Sequence, residues 1–426
     1  MADQPDHRPG KDRLMRRIAF ACCLVLGTTP ALAQRADLPP ADQVNRVLNS
    51  YPGVEAAVER IAAARAQGEM LRRGTHEVTV AGSYTRRTVD GFGARNEFDS
   101  TVSRAFRLPG KAALDRRAGA LGIAVAENRM EDVRHQTALI LSGLWHDWLT
   151  AGTHYRNDSA AVADMEQALT ALRRRAALRD AATLDVDQAL AALAQAQAQK
   201  ASSLALREQA RAILASTFPD LTLAVEPPEL ADPALPDQSL EVMRDLVIER
   251  SHEIGAADRE AQRLGVVSQR VRADRIADPS FGVRVFSEQG GMEKGAGLIM
   301  SIPLGGGYRR AAADQASADA NAARMELAAI QRTIEAIANA DLSNARTRLE
   351  AWRSAQTAAR STDDALARTR RGYDLGAIDL ADLLYARRQA NDARRYEIEA
   401  RSAADRALLK LQIDSHNIWA PDEAMK

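Results

Sequence analysis

Beyond residue 33 the chain carries six histidines, His76, His135, His146, His154, His252 and His416. None is spaced with cysteine or carboxylate residues as metal ligands usually are. His146-Asp147 is a single adjacent pair inside a long helical pattern, where an isolated histidine reads as an ordinary polar contact. No bound metal, ligand relay or cofactor is expected. Gly305-Gly306-Gly307 invites a phosphate-binding reading, but no lysine and hydroxyl pair follows it, so the triplet reads as a bend from strand to helix. No nucleophile or base constellation emerges, and an enzyme is not expected. What remains is acidic: Asp379 and Asp382 open the last helical segment, and Asp185 and Asp187 lie near an earlier turn. An aspartate such as Asp379 at a helix start is commonly an N-cap. From spacing alone, Asp382 faces solvent on an amphipathic helix.

The ends and composition narrow the class. Arg16 and Arg17 precede an apolar run from Ile18 to Leu26 and then Ala31-Leu32-Ala33, which reads as a secretory signal peptide over residues 1–33, with a second possible start at Met15. The run falls short of the roughly 20 apolar residues of a transmembrane helix. Cys22 and Cys23 both lie within it, so a chain beginning near Gln34 has no cysteine and no disulfide. Lipidation at Cys22 fits less well, because Ala19-Phe20-Ala21 is a poor lipidation site and would cut the apolar run near its start. Without the leader, 52 basic residues face 54 acidic ones, and no polybasic surface points to nucleic acid. Only 4% of residues are aromatic while alanine is abundant, a composition of long, closely packed helices.

The elements that would position the acids form an internal two-fold repeat. Val47-Leu48 aligns with Val247-Ile248, Gly110 with Gly306 and Leu184 with Leu380. From Tyr308 to Arg371 there is neither glycine nor proline, enough for a rod of roughly 95 Å. Leu327, Ile330, Ile334 and Ile337, then Leu342, Ala345, Leu349 and Trp352, form a coiled-coil stripe echoed by Leu141, Leu144 and Trp148. Before each long helix lies an alternating hairpin: Val78, Val80, Gly82 and Tyr84 with Phe98, Val102 and Phe106, then Phe281, Val283 and Val285 with Ala296, Leu298, Met300, Ile302 and Leu304. Period two at this length suits membrane strands. Four strands cannot close a barrel in lipid, so several chains must share one; two copies give eight strands and three give twelve. The expected fold is mostly α with a small β part. The first repeat spans 34–218 (hairpin 77–107, long helices 111–217) and the second 238–426 (hairpin 280–304, long helices 308–415). Pro219, Pro227, Pro228, Pro233 and Pro236 punctuate a linker or belt over 219–237.

At this point the chain resembles the TolC-like outer membrane efflux proteins, the outer membrane factors. The most specific stretch is Gly372-Tyr373-Asp374-Leu375-Gly376-Ala377-Ile378-Asp379-Leu380-Ala381-Asp382-Leu383-Leu384, with Leu108-Pro109-Gly110-Lys111 and Ser301-Ile302-Pro303-Leu304-Gly305 as further matches. Asp278-Pro279-Ser280-Phe281-Gly282-Val283 and the short C-terminus resemble members paired with heavy-metal pumps. The resemblance implies a homotrimer with a shared twelve-stranded barrel in the bacterial outer membrane and a coiled-coil helical tunnel, or α-barrel, in the periplasm. It implies a conduit supplied by a periplasmic adaptor (membrane fusion) protein and an inner-membrane pump of the RND type, exporting heavy-metal cations.

The resemblance also implies two helical tips that dock the adaptor and carry the entrance gate. Leu375, Gly376 and Ala377 match in the second half; Arg179, Asp180 and Ala181 stand opposite them in the first, without the glycine, which leaves equal docking of the two tips open. Asp382 matches the family's gate acid and Tyr385 stands where some members have a second one; Asp379 is the remaining gate candidate. Asp185 and Asp187 fit the pattern loosely. A ring of symmetry-related carboxylates at a constriction would focus negative potential and favour cations. The rival reading is a secreted coiled-coil structural or adaptor protein with no pore.

Overall fold

A computed structural model describes Arg35 and residues 37–420; the leader, Met15, Cys22 and Cys23 lie outside the described residues. Among the described residues every α-helix and β-strand occurs twice in the same order. Short helices α1 (Ala41–Asn49) and α2 (Pro52–Arg73) lead into the hairpin β1 (Val78–Val89) and β2 (Gly93–Ala105), then α3 (Lys111–Ala177) and α4 (Thr183–Thr217). The second half repeats them as α5 (Leu240–Glu249), α6 (His252–Ala273), β3 (Ser280–Glu288), β4 (Glu293–Ser301), α7 (Gly307–Asp374) and α8 (Leu380–Asp414). The long helices have 67 and 68 residues and each returning helix has 35, so the duplication has held helix length almost constant. No helix among the described residues is long and apolar enough to cross a membrane.

The two hairpins join in one antiparallel sheet of order β1-β2-β3-β4. Its register sorts the residues by face, since side chains alternate along a strand. Val80, Val102, Val283 and Leu298 lie in one cross-strand row. On the opposite face Thr101 is beside Arg284, Arg284 pairs with Asp99, and Arg87 is 3.5 Å from Glu97. Every residue of β1 is exposed, and Leu298 is 91% exposed. The paired strands stop slightly short of the hydrophobic pattern: Phe106, Ile302 and Leu304 lie past the last ladder residues.

Two of the motifs meet where the sheet passes into the long helices. The Lys111 ammonium is almost fully buried and contacts Asp278 Oδ1 at 2.8 Å, Asp274 Oδ1 at 2.9 Å and the Ile276 carbonyl at 2.8 Å. Asp278 also accepts from the Leu108 N–H and lies 2.9 Å from His76 Nε2. Burial alone would raise the Asp278 carboxyl, but Lys111, the Leu108 amide and His76 outweigh it and hold the pKa below the usual range. Nearby, Arg107 ties the carbonyls of Leu71, Arg72 and Arg73 to Asp115. Both hairpins thus share one ion-paired root.

Below that root the helices pack in antiparallel pairs. Ile334, Ala338, Ala345, Leu349 and Trp352 of α7 are buried, and Ala338, Ala345, Leu349 and Trp352 pack against Ala404, Ala407, Leu408 and Leu411 of α8. Ile337, which the sequence placed in this stripe, is 42% exposed and Ala338 takes the buried position; the smaller side chain lets the helices approach closely. A second core gathers Leu141, Trp145, Trp148 and Leu149 of α3 with α1, the end of α8 and the proline-rich segment. That segment is a belt packed onto the bundle, not a free linker. Leu221 and Leu230 are buried, Arg156 donates to the Pro227 and Pro228 carbonyls, and Pro227 Cγ lies 2.0 Å from where a Cβ on Gly152 would sit.

Removing one partner of a buried ion pair leaves the other charge uncompensated. Lys111→Ala is expected to destabilise the protein by about 3–5 kcal/mol, whereas Arg46→Ala on an exposed pair should cost under about 1 kcal/mol. Urea unfolding midpoints compared between the two variants check this.

Candidate functional site

The two helix-to-helix turns at the far end of the bundle hold the candidate site. α7 ends at Asp374 with Leu375 as its cap, and Gly376 follows at φ 75°. The Ala377 N–H returns to the Gly372 carbonyl at 2.9 Å and the Gly376 N–H to Tyr373 at 3.0 Å, closing the orphan carbonyls of the last turn as a Schellman motif does. α3 ends the same way. Leu178 is the cap, Arg179 follows at φ 61°, the Asp180 N–H reaches Arg175 at 2.9 Å and the Arg179 N–H reaches Ala176 at 2.9 Å.

This shifts the alignment by one residue. Leu178-Arg179-Asp180 is the counterpart of Leu375-Gly376-Ala377, so an arginine occupies the left-handed position where a glycine was expected. The missing glycine does not change the turn. Ala181 lies further along and packs, half-buried, against the small core of Leu169, Leu172, Ala189 and Leu380. Both caps are exposed, Leu178 by 80% and Leu375 by 77%. Arg175 ties the tips to each other: it donates to Asp180 Oδ2 at 2.9 Å and to the Tyr373 hydroxyl at 3.2 Å, with its guanidinium 5.5 Å from that ring.

The corrected register also pairs the acids. Asp379 is the N-cap of α8 and its Oδ1 accepts from the Asp382 N–H at 2.9 Å. Asp382 is therefore the third residue of α8, and Asp185 is the third residue of α4, where it accepts from the Ala182 N–H at 3.2 Å. Each half presents one carboxylate at the positive end of a helix dipole. Asp187 lies two residues farther on and has no acidic counterpart, since Leu384 stands at its place. On α8, Asp382, Tyr385 and Gln389 share one exposed face at helical spacing, and the Tyr385 hydroxyl accepts from Gln389 at 2.8 Å. The buried stripe of Leu380, Leu383, Arg387 and Ala390 faces the other helices.

Arg387 was not singled out from sequence. It is buried and sits 3.3 Å from Asp164 on α3, which Arg370 also approaches at 3.6 Å. Burial pulls its guanidinium below the usual range, only partly offset by Asp164. The available signal was an arginine on an otherwise apolar helical stripe. Above it the α3–α8 contact continues as polar pairs: Arg395 with Asp158, Asn157 with Asn391, His154 with Glu399, Thr150 with Ser402 and His146 with Asp405. His146 thus pairs with Asp405, not with the adjacent Asp147, which binds Arg406. Among the described residues no group of three or more His, Cys, Asp or Glu could hold a metal ion.

Solved structures match nearly the whole chain, three of them as follows. The outer-membrane channel OprN superposes with a TM-score of 0.77 at 20% identity, covering 90% of this chain and 92% of that one. CusC, described in terms of transmembrane channel formation, gives 0.72 at 14% identity over 88% and 91%. The Campylobacter jejuni CmeC outer membrane channel gives 0.71 at 14% identity over 90% and 87%. The chain has the outer membrane factor fold. No protein-family profile and no curated protein sequence matches it. In this outer membrane factor fold the two tips are the turns of the α3/α4 and α7/α8 hairpins, and the candidate residues fall on them.

A Cβ on Gly376 would meet nothing within 4 Å, so substitution there isolates the backbone cost. Gly376→Ala is expected to destabilise the tip by about 1 kcal/mol and Arg179→Gly to relieve a similar strain. Protection of the tip amides in hydrogen exchange should fall in the first variant and hold or rise in the second.

Proposed function

We propose that the protein is the outer-membrane exit duct of a tripartite efflux system, a homotrimer passing substrate delivered by a periplasmic adaptor and an inner-membrane pump of the RND type. The observation that carries the reading is the open sheet. Among the described residues its edges, β1 and β4, have no partner, and residues such as Val80 and Leu298 stand exposed. Backbone groups left unpaired in lipid cost several kcal/mol each, so the edges close against other copies. Three copies give twelve strands and a water-filled lumen, whereas eight would leave little space. The apolar row of Val80, Val102, Val283 and Leu298 then faces lipid, and the face with Arg284 and Asp99 lines the pore. The helices form the periplasmic tunnel. A secreted coiled-coil protein would leave this apolar face in water without purpose.

The tips supply the docking end. Leu375, Gly376 and Ala377 in one half and Leu178, Arg179 and Asp180 in the other present the same turn with an exposed leucine at its apex, so a trimer offers six closely equivalent tips to the adaptor. Ala181 supports its turn from within. Asp382 and Asp185 place a carboxylate at the same point of each returning helix, so three chains bring six acids around the entrance; Tyr385 lies one turn above Asp382, and Asp379 acts as its cap. This arrangement favours cations over anions. Heavy-metal ions are the class implied by the resemblance around Asp278, although Asp278 itself serves the Lys111 root. The Arg387–Asp164 pair links α8 to α3 above the gate and restrains their separation.

The mature chain in detergent is expected to sediment as a trimer and to form cation-preferring channels in planar bilayers. Asp382→Ala combined with Asp185→Ala should lower the cation-to-anion permeability ratio roughly twofold or more, while Arg387→Ala should increase the open fraction. A stable monomer in plain buffer, with no conductance, would overturn the channel; unchanged selectivity would remove only the gate acids.

A further inference from the structure

A recess of about 500 Å³ lies between α2, α3 and α6, on the sheet side of the helix layer. Its floor is apolar. Ala57 of α2 and Ala118 and Val125 of α3 are buried there, and Gly68 and Gly119 bring the two backbones together. A Cβ on Gly119 would stand 2.9 Å from the Gly68 Cα, so the close approach depends on that glycine. Small side chains along both helices leave the space between them and α6 unfilled.

The rim is cationic. Arg60 of α2, Arg129 of α3 and Arg263 of α6 line it, with Glu260 as the one carboxylate among the lining residues. Glu260 is already taken: Arg263 Nε and Nη2 donate to its two oxygens at 2.8 and 2.6 Å. That pairing outweighs burial and, with help from Arg129, holds the carboxyl below its usual range. Arg129 acts on Glu260 through space without a direct ion pair, and Arg60 has no ion-pair partner among the described residues. Arg107, Arg207 and Arg395, by contrast, each contact a carboxylate. Two guanidinium groups beside an apolar floor thus lack a counter-charge in contact with them.

Helices α2, α3, α6 and α7 pack side by side in the order of the strands they join. One face of this layer carries α1 and the proline-rich belt. On α3 that face is marked by Arg134, which donates to Asn45 and Asn49 of α1, and by Leu141 and Trp145 of the second core. Ala118, Gly122, Val125 and Arg129 recur at three and four positions on the opposite side of the helix. In the proposed duct, on which this placement rests, the belt lies outside, because inside it would fill the tunnel, and the recess opens to the lumen.

We propose that this recess is a subsite for small amphipathic carboxylates, with Arg60 and Arg129 taking the carboxylate and the floor of Ala57, Ala118 and Val125 taking the apolar body. A guanidinium fork matches a carboxylate through two parallel hydrogen bonds, and such a pair is stronger against a low-dielectric wall than in bulk water. A cavity of this size with an apolar surface and a few convergent polar groups suits a ligand built on a small ring system. Metal cations gain nothing from it, so the subsite widens the range of cargo beyond the ions implied around Asp278.

Isothermal titration of the purified protein in uncharged detergent, with protein-free micelles as the blank, compares naphthoate with neutral naphthamide. Naphthoate should bind saturably, and naphthamide roughly tenfold more weakly. The double variant Arg60→Gln, Arg129→Gln should weaken naphthoate roughly tenfold and leave naphthamide unchanged. Gly122→Leu keeps every charge but fills the recess, where a Cβ meets only Arg263 Cδ at 3.6 Å, and should weaken both. No saturable naphthoate binding, equal binding of acid and amide, or naphthoate binding that survives either variant overturns the subsite. The recess is built from one chain, so a protein that binds naphthoate without conducting refutes only the duct, and one that conducts without binding refutes only the subsite.

Discussion

Unpaired backbone along β1 and β4 is the constraint on which the rest of the molecule depends. A four-stranded sheet exposed on both faces has no stable place in water or in lipid as an isolated unit. In the proposed assembly its remedy is other copies of the chain, and that remedy dictates what lies beneath. Each copy must deliver its two hairpins side by side at a fixed angle, which is the work of the buried Lys111 and of the Asp278 and Asp274 carboxylates around it. Because Lys111 begins α3 while Asp274 and Asp278 flank the passage from α6 into β3, one node couples both halves. The long helices inherit their positions from it.

The duplication solves a geometric problem cheaply. Two hairpins of helices with matched lengths reach the same depth, so both turns finish at the far end of the bundle. The turn geometry is held even where the residue that normally provides it is missing. Arg179 adopts the backbone of Gly376, and the hydrogen bonds that close the helix end are the same. A strain of about 1 kcal/mol at a surface turn is small beside the packing of a 67-residue helix, and the Arg175 contacts to Asp180 and Tyr373 stiffen the turn from behind.

Within the chain the two coiled pairs meet mainly through α3 and α8, and their seam differs in kind from the pairs themselves. α7 packs on α8 through alanine, leucine and tryptophan, whereas much of the α3–α8 seam is polar or charged, from His146–Asp405 down to Asp164–Arg387. Apolar packing is insensitive to direction and tolerates sliding. Paired buried charges are costly to separate but interchangeable with water or with new partners once exposed. A seam of this type suits two bodies that must be held firmly in one state and still part without exposing a dry core. His135, His252 and His416 gather at its upper end.

Much of the architecture was legible in the residues. Long stretches without glycine or proline, the stripe through Leu349 and Trp352, and alternation in Val78–Tyr84 and Phe281–Val285 each report a local period, and local periods survive into the folded state. The Asp379 cap was legible for the same reason, as a short-range hydrogen bond. Ile337 and Ala338 exchanged roles because a period marks a face only to within one residue, and the partner helix decides which side chain fits. Arg179 could not be recognised as the counterpart of Gly376, since nothing in its identity announces left-handed backbone; only the closed turn does. The Lys111–Asp278 contact, Arg387 on Asp164, and the meeting of His135, His252 and His416 join residues more than a hundred positions apart. Sequence alone determined the helices, strands and their duplication, because these arise from interactions among near neighbours. Tertiary structure decided which charges share a site, because that depends on how the rods lie against one another in space.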